Sequence, residues 1–125
     1  MSLLQSKKSI EQYFNDNYSE TAIHWAGMNF DTKAYTEWVY FEYVAEYVAD
    51  SGLDNAQYSQ SGTIRCSVVS QSPFRCNEIA DMIIELFKAK KIDALFAGKI
   101  KVLSQDYVAD IDKTIMELDL YMTTF

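Results

Sequence analysis

Apolar residues recur at helical spacing in two stretches of the chain. The first predicts an amphipathic helix over residues 3–17, with an apolar side made of Leu3, Ile10, Tyr13, Phe14 and Tyr18. The second predicts the main helix over residues 73–91, with an apolar stripe of Ile79, Met82, Ile83, Leu86 and Phe87. Ser72 and Pro73 are typical start residues, and Lys88, Lys90 and Lys91 would complement the helix dipole at its end.

Other stretches have the composition or the alternation of strands. Residues 22–26 form a short apolar run, and residues 63–70 alternate with period two. Residues 37–48 are dense in Trp, Tyr, Phe and Val, which favours a long strand over a helix. This near-continuous apolar content suggests burial on both faces, or one face in the core and the other against a partner chain. Residues 99–103 and 112–124 are predicted to be the last two strands, with residues 106–110 as their turn.

The most polar stretch covers residues 49–62 and predicts a long connection between two strands. Connections longer than about 12 residues are uncommon in compact domains and are often functional. The element order is helix, strands, helix, strands. It predicts an α+β fold with a mixed, mainly antiparallel sheet, on which an N-terminal helix and one main helix pack. A length of 125 residues predicts a single domain over 1–125.

Charge narrows the possible partners. The chain has 11 Lys and Arg residues against 18 Asp and Glu residues, a net charge of −7. An acidic balance argues against nucleic-acid binding through phosphate neutralisation, which needs a basic face. Two cysteines are too few for a disulfide scaffold, so reduced thiols are favoured. Residues 1–10 lack the apolar run of a signal peptide, and no apolar stretch is long enough to cross a membrane.

Residues that could carry chemistry are isolated in the sequence. His24 is the only histidine, which leaves a zinc site without a second imidazole. The segment from Asp50 to Asp54 lacks the alternating oxygen ligands of a calcium loop. Cys76 lies near a helix start, a position that can lower the pKa of a thiol, although a packing role is favoured. The sequence therefore predicts no enzyme, no cofactor and no metal site.

A local basic cluster comprises Lys88, Lys90, Lys91, Lys99 and Lys101. The simpler interpretation is a solvated helix end. The alternative is that the cluster meets an acidic patch on a neighbouring subunit, because a basic patch on an acidic chain suits head-to-tail contacts.

The order of several short segments resembles the tail-terminator, or tail-completion, proteins of long flexible-tailed phages and prophages. The resemblance covers nearly the whole chain and is carried by segments 13–18 (YFNDNY), 21–23 (TAI), 37–39 (EWV), 62–68 (GTIRCSV), 78–81 (EIAD) and 85–87 (ELF). Two features depart from the family. Ala22 stands where a Pro is frequent, and Phe74-Arg75-Cys76 replaces a Gly-rich turn. These differences leave open a neighbouring role in the neck.

The resemblance implies a structural protein of the virion tail, assembled in the cytoplasm of a bacterial host. Such proteins form a homohexameric ring on the tail tube, stop its polymerisation and offer the other face to the head–tail connector protein. DNA passes through the ring without specific binding, and no covalent step or membrane is involved. Asp50, Asp54 and Tyr58 in the polar connection are candidates for contacting the tail tube protein or lining the lumen. Trp38, Tyr40, Lys90 and Lys91 are candidates for subunit contacts.

Two other classes fit the same composition. A small acidic inhibitor or immunity-type protein would bind one basic partner in a one-to-one complex. An enzyme on an α+β scaffold would need a pocket with convergent polar groups, for which the sequence offers no nucleophile or base.

Overall fold

A computed structural model describes residues 3–50 and 57–124 of the chain. Within these ranges the chain forms two α-helices and five strands in the order α1 (Leu3–Asn17), β1 (Ala22–Trp25), β2 (Trp38–Asp50), β3 (Gln57–Ser70), α2 (Pro73–Phe87), β4 (Phe96–Val108) and β5 (Lys113–Thr123), with a short 3-10 helix (Thr32–Ala34) between β1 and β2. The strands form one sheet in the order β1-β2-β3-β5-β4. β1 is parallel to β2, and every other neighbouring pair is antiparallel. The predicted α+β fold with a mixed, mainly antiparallel sheet is confirmed.

Both helices pack on the same face of the sheet. Phe14 of α1 stacks on Phe41 of β2 at 4.3 Å between ring centroids and lies 6.1 Å from Phe87 of α2. Strand residues from this face complete the core, with Val39, Ile64, Val68, Leu118 and Leu120 almost completely buried. The period-two alternation of β3 and β5 thus puts one set of side chains under the helices and the other set on the opposite face.

The main helix is shorter than the sequence predicts. It starts as expected, with Ser72 as the N-cap accepting a hydrogen bond from the Arg75 backbone N–H at 3.1 Å and Pro73 in the first turn. It ends at Phe87, not at residue 91, because Lys88 is extended and Ala89 adopts a left-handed φ of 56°. The chain then turns so that Ile92 and Leu95 are buried in the core. The lysines at 90 and 91 therefore lie beyond the helix.

The predicted long connection over residues 49–62 is wrong in its bounds. β2 continues to Asp50 and β3 begins at Gln57, and their register is continuous from Trp38↔Val69 to Asp50↔Gln57. The segment is mainly the far end of a β-hairpin. Backbone pairing between two strands needs no apolar side chains, so a polar stretch can extend a hairpin without any apolar periodicity. Residues 51–56 lie outside the described residues.

The turn between the last two strands also differs from the prediction. β4 continues to Val108, and the chain reverses at residues 109–112, where Asp112 has a left-handed φ of 52°. β4 is at the edge of the sheet and is largely exposed, so polar residues such as Gln105 and Asp106 are tolerated within it. The prediction mistook these polar residues for a turn.

Candidate assembly surface: the open face of the sheet

The face of the sheet opposite the helices is named the open face. It carries the alternate side chains of β2 from Trp38 to Glu46, those of β3 from Thr63 to Val69 and those of β5 from Ile115 to Tyr121. β4 adds Lys99 and Lys101, which pair with Tyr121 and Asp119. Within the part of the chain that the structure describes, neither α-helix packs on this face. The fold therefore leaves it available to another molecule.

One end of the open face is covered by the chain itself. The segment between β1 and β2 places Phe30 against Trp38, with ring centroids 5.8 Å apart, and stacks it on His24 at 4.9 Å. Lys113 donates a hydrogen bond to the Thr36 carbonyl at 2.8 Å, and its ammonium lies 5.9 Å from the centre of the Trp38 ring. Trp38 is consequently only 6% exposed. Internal packing thus accounts for part of the aromatic content of β2.

Beyond this covered end, charged side chains of alternating sign cross the sheet in one row. Glu42 on β2 is the cross-strand partner of Arg65 on β3. Arg65 is the partner of Asp119 on β5, and Asp119 is the partner of Lys101 on β4. Directly opposed residues on one face lie about 4.5–5.5 Å apart between Cβ atoms, close enough for opposite charges to attract each other. We name these four residues the charge row.

A shallow depression of about 260 Å³ adjoins the charge row. It is lined by the row residues Glu42, Arg65 and Asp119, and by Tyr40, Ser67, Leu103 and Glu117. Leu103 is the residue at which the register of β4 shifts against β5. Burial raises the pKa of the Tyr40 hydroxyl, and the nearby Glu42 carboxylate adds to this rise. The depression is open, and three of its lining side chains are carboxylates, those of Glu42, Glu117 and Asp119.

A second polar cluster connects α2 to the end of the sheet where β2 begins and β3 ends. The Arg75 guanidinium donates to Glu37 through Nε at 3.1 Å and through Nη2 at 3.0 Å, and Nη2 also donates to Glu20 at 2.8 Å. The buried Ser70 hydroxyl donates to the same Glu37 carboxylate at 3.1 Å. These bonds, that from Arg75 foremost, hold the pKa of Glu37 below its ordinary value. Sequence analysis missed this cluster, because its members are far apart in the chain and form no motif.

The comparisons with known proteins find the same fold in virion material. No family model matches the chain, and no curated protein matches it by sequence. A chain from the virion of a native gene transfer agent particle superposes with a TM-score of 0.63 at 11% sequence identity, covering 94% of this chain and 92% of that chain. A second solved chain, which has no descriptive name, superposes with a TM-score of 0.60 at 15% identity, covering 100% of this chain and 97% of that chain. At such low identity each likeness shows a shared fold, over at least 92% of each chain compared.

The structure separates the residues that sequence analysis put forward for assembly. Trp38 and Tyr40 share the open face of β2. Asp50 ends β2 and Tyr58 pairs with Ala49 in the hairpin, whereas Asp54 lies outside the described residues.

The predicted basic cluster divides between the two layers of the fold. Lys90 and Lys91 follow α2 in the helix layer, where the Lys90 ammonium lies 5.9 Å from the centre of the Tyr13 ring. Lys99 and Lys101 belong to the open face. The lysines of the predicted cluster therefore lie in different layers of the fold.

Both cysteines, including the candidate Cys76, are buried among core residues. The Cys76 thiol is buried and donates to the Thr114 carbonyl at 3.4 Å, and burial raises its pKa, contrary to the lowering that a helix start can cause. Burial likewise raises the pKa of Cys66. Among the described residues, no group of three or more His, Cys, Asp or Glu side chains is arranged to hold a metal ion. None of the helices described is long and apolar enough to cross a membrane.

Proposed function

We propose that this chain is a structural protein of a phage or phage-like virion, and that it caps the tail tube as a homo-oligomeric ring. The observation that carries the proposal is the fold likeness over 94% of the chain to a protein of a gene transfer agent virion particle. The resemblance of the sequence segments to tail-terminator proteins supports the finer assignment to the tail. In this proposal residues 1–125 act as one domain, and the mechanism is binding without a covalent step.

The proposed partners follow from the same role. Copies of this chain form the ring, with a hexamer as the expected size. One side of the ring contacts the tail tube protein and the other contacts the head–tail connector protein. The net charge of −7 suits a channel through which DNA moves without adhering, because like charges repel. The protein would then be located in the virion tail.

The hairpin of β2 and β3 is the proposed contact with the tube. Its paired backbone continues past Tyr43 on β2 and Gly62 on β3, the last buried residues described on each strand. An extension of this kind adds reach without adding to the described core. The sequence analysis proposed residues of the polar stretch 49–62 for contact with the tail tube protein. The paired ends of β2 and β3 are now proposed for that contact.

The oligomeric state and the capping activity test the proposal together. Light scattering after size-exclusion chromatography, across a concentration series, should show a ring or a concentration-dependent approach to one. Adding the protein to a polymerising tail tube protein should shorten the tubes seen by electron microscopy. A protein that stays monomeric and leaves tube length unchanged would overturn the proposal. A tight one-to-one complex with a basic protein would instead favour the inhibitor or immunity class.

A shortened hairpin tests the tube contact separately. Replacing residues 47–60 with Asn-Gly joins the opposed residues Glu46 and Ser61 through a two-residue turn, which matches the twist of antiparallel strands. This variant should retain the cooperative unfolding of the full chain but should no longer limit tube length. Normal capping by the folded variant would show that the hairpin is not the contact.

A further inference from the structure

The sheet has two edges that the described residues leave unpaired. β4 is an edge strand along its whole length, Phe96–Val108. On the other side, β1 covers only Trp38–Phe41 of β2. From Glu42 to Asp50, no other strand of the described chain pairs with that side of β2. Backbone N–H and C=O groups along such edges can accept another strand, so each edge is a potential binding surface.

The charge row ends with opposite signs at these two edges. Its first residue, Glu42, lies on the free part of β2, and its last residue, Lys101, lies on β4. Two further charges on the same face repeat this difference, with Glu46 on the β2 edge and Lys99 on the β4 edge. Placing the β4 edge of one copy beside the β2 edge of another therefore continues the alternation of charge from copy to copy.

We propose that copies of this protein associate head to tail by strand addition, with β4 of one copy pairing with residues 42–46 of β2 in the next, the free segment that the shortened hairpin keeps. The inference rests on the ring of the proposed function and identifies the two surfaces that close it. Three antiparallel steps separate β2 from β4, so the two edge strands run in opposite directions. A rotation about an axis along the strands then pairs them in the antiparallel manner, and repetition of such a contact between unlike surfaces closes a ring.

Electrostatics select this contact over the symmetric ones. Two β4 edges brought together would oppose Lys99 and Lys101 of one copy to the same two lysines of the other. Two β2 edges would oppose Glu42 and Glu46 in the same way. Like charges placed directly opposite each other on neighbouring strands are unfavourable, whereas the unlike contact pairs lysine with glutamate. The chain thus favours a head-to-tail contact over a two-fold dimer.

The shape of β4 restricts the contact to a short segment. Its register shifts between Ala97 and Lys99, and again between Val102 and Ser104, which leaves Lys99–Val102 as a regular stretch. Register irregularities and lysines on an edge strand discourage uncontrolled pairing with other sheets. A partner edge that offers carboxylates compensates these lysines. It also covers Val102, which is 54% exposed, so pairing with a second copy is favoured over unrelated strands.

Complementary charge reversal tests the contact. Lys101→Glu alone opposes two glutamates at every joint, and Glu42→Lys alone opposes two lysines. Each variant should need at least about a tenfold higher concentration to assemble, since tenfold corresponds to a modest like-charge cost. An equimolar mixture should regain assembly, because alternating copies make every joint complementary. Light scattering across a concentration series measures the assembly of each variant and of the mixture. Mixing would not rescue a variant that fails only because it does not fold.

Lys8→Glu is the matched control, because it makes the same charge change at an exposed lysine of α1, outside both edge strands. It should assemble like the wild type. If both single-reversal variants assemble normally, the edge contact is wrong, although the ring is not. If both variants fail to assemble and mixing does not rescue them, the edge contact is wrong as well. If the wild-type chain remains monomeric both alone and in the presence of tail tubes, the ring and the edge contact are both wrong. Assembly through these edges without any capping would refute only the role at the tail.

Discussion

The two faces of the sheet are built from the same strands but have opposite properties. The face under the helices is apolar and closely packed, with Phe14, Phe41 and Phe87 in mutual ring contact. The open face carries the charge row and a shallow depression. Substitutions under the helices should therefore change the free energy of unfolding, whereas substitutions on the open face should change association. The difference shows which half of the alternating pattern folds the chain and which half remains for recognition.

The largest effect is expected at the aromatic centre of the packed face. Phe14→Ala removes a fully buried ring that also stacks on Tyr18 at 4.7 Å. It should lower the free energy of unfolding by about 3–5 kcal/mol, because a large cavity remains. Urea denaturation followed by circular dichroism measures the change. Leu4→Ala on the same helix, at a residue 60% exposed, should have little effect. Equal losses at the two positions would contradict the packing described here.

Next in size is the cluster that joins α2 to the end of the sheet. Glu37→Gln should cost about 1.5–3 kcal/mol at neutral pH, the usual range for hydrogen bonds to a charged group. The pKa of Glu37 is lower in the folded chain than in the unfolded chain, so the unfolded chain binds the proton more readily. The contribution of Glu37 is present above the unfolded pKa of about 4.3 and is lost as pH falls through the folded pKa.

The pH dependence distinguishes Glu37 from other carboxylates. Thermal unfolding between neutral and acidic pH should show a smaller loss of stability on acidification for Glu37→Gln than for the wild type. Glu78→Gln, at an exposed position on α2, should leave the wild-type profile unchanged. Parallel profiles for wild type and Glu37→Gln would show that the ion pair with Arg75 does not contribute to stability.

A smaller effect is expected where the packed face approaches the hairpin. A methyl group on Gly62 would overlap the Tyr43 ring, whose Cε1 lies 2.7 Å from the position of the added carbon. Gly62→Ala should therefore cost about 1–3 kcal/mol through overpacking. At Gly98 the nearest atom is the Thr123 Cγ2 at 3.1 Å, the end of a side chain that can move. Gly98→Ala should cost less, and the reverse order in denaturation midpoints would refute the close approach of Tyr43.

The smallest effect on stability is expected on the open face. Arg65→Ala removes an exposed side chain of the charge row and should change the free energy of unfolding by no more than about 1 kcal/mol, the usual size of charge interactions at a protein surface. Its neighbour Ile64 faces the helices and is completely buried, so Ile64→Ala should cost about 2–5 kcal/mol. Chemical denaturation of this adjacent pair compares the two faces within one strand. Similar losses would show that the open face contributes to folding as much as the packed one.

Sequence patterns predicted the packed face better than the rest, for a physical reason. α1 and the apolar stripe of α2 repeat with the helical period because burial requires it, and the prediction for residues 3–17 matches α1, Leu3–Asn17. The far end of the hairpin and the polar half of β4 were assigned as loops because backbone pairing at an edge leaves no apolar signal. Arg75 and Glu37 are 38 residues apart, and only the folded chain brings them together. The charge row depends on strand register, which composition does not determine.

Because both cysteines are buried, the reactivity of their thiols reports the unfolding of the native protein. Cys66 and Cys76 lie in the core with thiols whose pKa values are raised by burial, so a thiol-specific reagent should react with them only when the chain unfolds. The rate of modification at high reagent concentration then measures how often a molecule opens. A subunit in a ring should unfold less often than a free subunit. The rate at which the two thiols are modified should therefore fall as the ring assembles, which follows assembly without any added label.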